Sequence, residues 1–60
     1  MVLPPDPELI ADALLSAHPE AEPYEIPGLQ LERWLADVGV AEQNDALVAA
    51  TLAAWELRRN

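Results

Sequence analysis

Sixty residues hold one domain and one core, and a chain this short buries only about 60% of the surface its unfolded form exposes. Without cysteine it has no disulfide to add, and its bulk comes from ten leucines with Trp34, Trp55, Ile10 and Ile26, too few to hold helices together and also wall a substrate cavity of roughly 300 Å³. Eleven carboxylates against Arg33, Arg58 and Arg59 give a net charge of -8, a surface that repels nucleic acid, so catalysis by this chain alone and nucleic-acid binding are both set aside.

Met1 to Pro5 read as a short arm. Asp6 can cap a first helix that starts at Asp6 or Pro7, where the missing proline N–H costs nothing. Ile10, Ala13, Leu14 and Ala17 recur at helical spacing as its apolar stripe, with Glu8, Asp12 and Ser16 on another face. Pro19 stops it, because the residue before a proline avoids the helical region. His18 then falls in the last turn, where the helix dipole favours a cation and Glu20 is a nearby partner.

From Pro19 to Gly28, three prolines and the acids Glu20, Glu22 and Glu25 prevent regular helix. Tyr24 to Ile26 is expected as one extended stretch, with Ile26 turned inward and the Tyr24 ring over an apolar edge. A second helix is expected from Leu29 to Val38, its stripe formed by Leu31, Trp34, Leu35 and Val38. Gly39 ends it in a left-handed conformation, and Val40 folds back on Leu35. Asn44 caps a third helix. Asp45 faces the positive end of its dipole, and Arg58 with Arg59 stand at the negative end. Leu47, Val48, Thr51, Leu52 and Trp55 make its stripe, while Ala49, Ala50, Ala53 and Ala54 permit close approach of other segments. The expected architecture is mainly α: a compact three-helix domain with a short extended segment after the first helix, spanning residues 1–60 as one unit.

No constellation for nucleophilic catalysis is present. The one histidine has only Ser16 and Thr51 as hydroxyl partners, and the two glycines are explained by helix ends. The carboxylates fall on solvated turns and helix faces, where nothing raises their pKa for acid–base work. Metal binding is the more serious option: Glu20, Glu22 and Glu25 crowd one loop, and Glu8 and Asp12 lie one helical turn apart. Hard oxygen ligands of this kind suit calcium, magnesium, manganese or ferrous ions, weakly in an open site. A one-signed surface also steers association toward positive patches, which makes a docking face the better account of the imbalance.

The run Ile10, Asp12, Ala13, Leu14, Ala17, Pro19, Glu20, Glu22, Pro23 and Ile26, followed by Trp34, Leu35 and Asp37 and then Asn44, Leu47, Leu52 and Trp55, resembles the IscX family. These are small acidic accessory proteins of bacterial iron-sulfur cluster assembly with a winged-helix-like fold. The similarity spans residues 6–55. It implies docking on a basic patch of a cysteine desulfurase, in competition with a frataxin-like protein, and weak binding of Fe(II). Asp12, Glu20, Glu22 and Asp37 are the acids it assigns to partner binding. Asp12, Glu20 and Glu22 are those it offers to a metal, and Trp34 and Trp55 match as core residues.

Three functions are therefore carried forward. The first is a non-enzymatic adaptor that adjusts a desulfurase, with no cofactor required. The second is a weak ferrous-iron carrier, and the third is a structural or interaction subunit of an unrelated complex. A cytoplasmic chain, monomeric when free and without membrane or nucleic-acid contacts, is expected in each case: it has no run of roughly 20 apolar residues and no signal-peptide pattern.

Overall fold

The computed structural model describes residues 3–59. Met1 and Val2 of the expected arm, and Asn60, lie outside them. Three helices account for most of the described chain: α1 Pro7–Ala17, α2 Gly28–Asp37 and α3 Asp45–Arg59. None of them is long and apolar enough to cross a membrane. The only strand-type pairing among the described residues is an isolated parallel bridge between Leu3 and Val40, where the Leu3 N–H donates to the Gly39 carbonyl at 2.8 Å.

Local chemistry sets the helix ends. An Asp6 oxygen accepts from the Glu8 N–H at 3.0 Å, with Pro7 at the first helical position. The Asn44 side chain accepts from the Leu47 N–H at 2.8 Å, the same device at the start of α3. α2 ends as a Schellman motif. Gly39 takes φ 95°, its N–H donates to the Ala36 carbonyl at 3.0 Å, and the Val40 N–H donates to the Leu35 carbonyl at 3.0 Å. Val40 is buried there beside Leu35, as the spacing predicts.

The segment after α1 differs from the extended stretch expected at Tyr24 to Ile26. Pro23–Glu25 form a single 3₁₀ turn, with extended backbone at the flanking Glu22 and Ile26. The reason is tertiary: Pro23 is fully buried, and the turn packs on α3, which draws the chain inward. Ile26 does reach the core, whereas the Tyr24 ring is mostly exposed.

The core joins Ile10, Ala11 and Leu14 of α1, Leu31 and Leu35 of α2, Val40, and Trp55 of α3, which is 0% exposed. The α1 stripe is therefore rotated from the expected one. Ala11 is buried, Ala13 is half-buried and Ala17 faces solvent. Trp55 is core as expected, but Trp34 is only half-buried. Ala54 packs on the core, whereas Ala49, Ala50 and Ala53 are exposed rather than covered by other segments.

α1 packs chiefly on α3 and meets α2 over a shorter stretch, but no Cα of α2 comes within 8 Å of a Cα of α3. Helices packed at the usual axial distance of about 8–10 Å bring Cα atoms closer than that, so α2 and α3 are splayed. The Trp34 and Trp55 rings, 6.5 Å apart and tilted by 54°, span the gap in one place.

Candidate acidic docking surface

Arg58 and Arg59 end α3 side by side, and successive residues on a helix point about 100° apart, so they reach different neighbours. Arg58 Nε donates to Asp12 Oδ1, and its Nη2 donates to Glu8 Oε1 at 3.3 Å; the two acids lie one turn apart on α1. Arg59 takes Glu22 in a two-point grip, with Nη1 to Oε2 at 2.9 Å and Nη2 to Oε1 at 2.8 Å, and its Nη1 also reaches Glu56 Oε2 at 3.1 Å. A planar guanidinium matches a carboxylate this way, which a lysine does not. Hydrogen bonds to Asp12 and then Glu8 hold Arg58 above its ordinary pKa, and the bond to Glu22 does the same for Arg59, with partial burial opposing in both cases.

The four acids assigned by resemblance to a partner thus divide. Asp12 and Glu22 are gathered around the adjacent arginines, each committed to an internal ion pair. Glu20 and Asp37 are exposed, with no ion pair to either among the described residues. The three acids offered to a metal are not brought together: among the described residues no three His, Cys, Asp or Glu side chains converge as a ligand set. His18 does not turn to Glu20. Its ring stacks on the Trp34 indole at 3.7 Å and 12°, because a residue four after Leu14 continues the buried face of α1.

The remaining exposed acids are Asp6, whose carboxylate caps α1, Glu25 in the 3₁₀ turn, Glu32 on α2, Glu42 in the connection, and Asp45 at the start of α3. Like Glu20 and Asp37, none of them forms an ion pair among the described residues. Sequence reasoning placed Arg58 and Arg59 against the dipole of α3 and missed their reach to α1 and to Glu22. The available signal was Glu8 and Asp12 at i, i+4, a spacing that lets two carboxylates share one cation.

Several hollows indent the surface. One of about 400 Å³ lies where α2 and α3 splay, floored by Leu31, Leu35, Val48 and Leu52, with Glu32 and Asp45 on its walls. Gln43 crosses beside it, its Nε2 donating to the Glu32 carbonyl at 3.2 Å, which ties the α2–α3 connection to α2. Compared with protein-family models, curated proteins and solved structures, the chain matches none.

Proposed function

We propose that this chain is a non-enzymatic adaptor that lays an acidic surface on a basic patch of a larger protein. The partner class is the one that the IscX-family resemblance implies, a cysteine desulfurase of iron-sulfur cluster assembly. The observation that carries the reading is the distribution of charge. Two of the three arginines are tied to acids of the chain itself and Arg33 is exposed without an ion pair, so Glu20, Glu25, Glu32, Asp37, Glu42 and Asp45 are exposed and unpaired among the described residues. Such a surface raises the encounter rate with a positive patch and repels like-charged partners. Asp37 and Glu20 would meet the partner directly. Asp12 and Glu22 would do so only by exchanging their arginines for the partner's cations, an exchange that solvent exposure makes easy.

Calorimetric titration against the desulfurase of the same organism tests this. Binding is expected at low ionic strength and should weaken steadily as salt is added, because screening shortens the reach of the acidic field to about 8 Å at physiological salt. Absence of binding at low salt would remove the desulfurase from the account.

A further inference from the structure

The hollow between α2 and α3 joins an apolar lining to two acidic side chains, and the fold gives a reason for its being open. α1 covers much of α3, and the tryptophan pair closes one part of the α2–α3 gap. The half-buried faces of Val48 and Leu52, however, look across to Leu31 and Leu35 with no helix between them. We propose that this groove seats an amphipathic basic segment of the partner protein, apolar side chains against Leu31, Leu35, Val48 and Leu52 and flanking lysines or arginines on Glu32 and Asp45. The inference deepens the adaptor reading and rests on its basic partner.

Charge selects the occupant. Both charged side chains on the walls, Glu32 and Asp45, are carboxylates, and among the described residues neither forms an ion pair. A second copy of this chain brings its own net charge of -8, and anionic lipid and nucleic acid carry the same sign, so each would be repelled. A helix with leucines at i, i+3, i+4 and i+7 and lysines elsewhere presents the complementary pattern, the usual form of helix-in-groove recognition. The acids would then give register and encounter rate, and the apolar floor would give residence time.

The test uses the full chain and three fluorescent peptides: one with that leucine and lysine pattern, one with the leucines changed to serine, and one with the lysines changed to glutamate. The first should bind, the other two at least about tenfold more weakly, with amide shifts centred on Leu31, Glu32, Val48 and Leu52. Ala49→Arg, an exposed position on the groove wall where arginine keeps the helix, should abolish the binding, and Ala53→Arg, exposed but outside the groove, should leave it intact. Glu32→Lys supplies a second variant should Ala49→Arg lose its helical circular dichroism. No binding, equal binding of the serine peptide, shifts centred on Asp12 and Glu22, or a concentration-dependent dimer that hides the groove would each overturn the proposal. The desulfurase arm separates the two readings. Equal affinity of wild type and Ala49→Arg for the desulfurase sinks the groove and spares the adaptor. Failure of wild type to bind the desulfurase sinks that partner, and the peptides then decide the groove alone.

Discussion

The two ends of α3 are built on opposite principles. At its C-terminal end Trp55 is sealed, α1 lies close, and Arg58 and Arg59 hold Glu8, Asp12, Glu22 and Glu56. Toward its N-terminal half Val48 and Leu52 are half-buried and line the hollow facing α2, and Glu32, Glu42 and Asp45 are exposed with no ion pair among the described residues. A small chain has few large side chains, and here they are concentrated where α1 crosses α3. The difference teaches that one region supplies stability while the other keeps apolar surface and charge available for contact.

The largest expected effect is therefore at Trp55. Trp55→Ala removes a fully buried aromatic, at a cost of about 3–5 kcal/mol. That is comparable with all the stability a core of this size supplies, about 3–5 kcal/mol, so helical circular dichroism should be largely lost without denaturant. Leu52→Ala, at a half-buried position in the floor of the groove, should cost about 1 kcal/mol in a urea melt, and equal losses at the two positions would break the contrast.

Partner affinity should show the reverse order. Glu32→Gln combined with Asp45→Asn removes two charges at the open end and should weaken docking about tenfold. Glu8→Gln combined with Glu22→Gln removes the same number at the closed end and should stay within about threefold, because screening confines each effect to its own neighbourhood. Titration of both pairs against the same basic partner decides the matter, and a larger loss at the closed end would reverse the assignment of the contact surface.

Backbone devices come next in size. Gly39→Ala places a Cβ at φ 95° and should cost about 1 kcal/mol or more, a fall in Tm of about 4–8 °C per kcal/mol. Asn44→Ala should cost about 1 kcal/mol through loss of the bond to the Leu47 N–H, with Asn44→Ser restoring most of it. These were the features most legible in the sequence. Asp6 before Pro7, Gly39 before Val40, and Asn44 ahead of an apolar run are each decided by a few consecutive residues. The buried face of α1 was harder to place: Ala11, Ala13 and Ala17 are equally apolar, so only tertiary packing selects Ala11. The turn at Pro23–Glu25 was hidden for a similar reason, since the burial of Pro23 depends on a helix more than twenty residues further along the chain. The charged surface was legible as a total but not as a pattern. Composition gives the surplus of acid, while the capture of Asp12 and Glu22 depends on contacts between residues 46 and 37 positions apart.

Those captures should have the smallest effect on stability, and they sharpen the contrast through salt rather than through size. Arg59 grips Glu22 at two points, yet both side chains remain in contact with water, where ions screen the attraction and ordering two long side chains opposes it. A double-mutant cycle on Arg59→Ala and Glu22→Ala, read from Tm, should therefore give a coupling that fades as salt is raised, while the losses at Trp55 and Gly39 hold steady. A coupling that persists in high salt would mean that the arginines are structural members of the core end rather than a solvated clasp over it. Asp12 and Glu22 would then be unable to release them to a partner, and docking would be left to the open end alone.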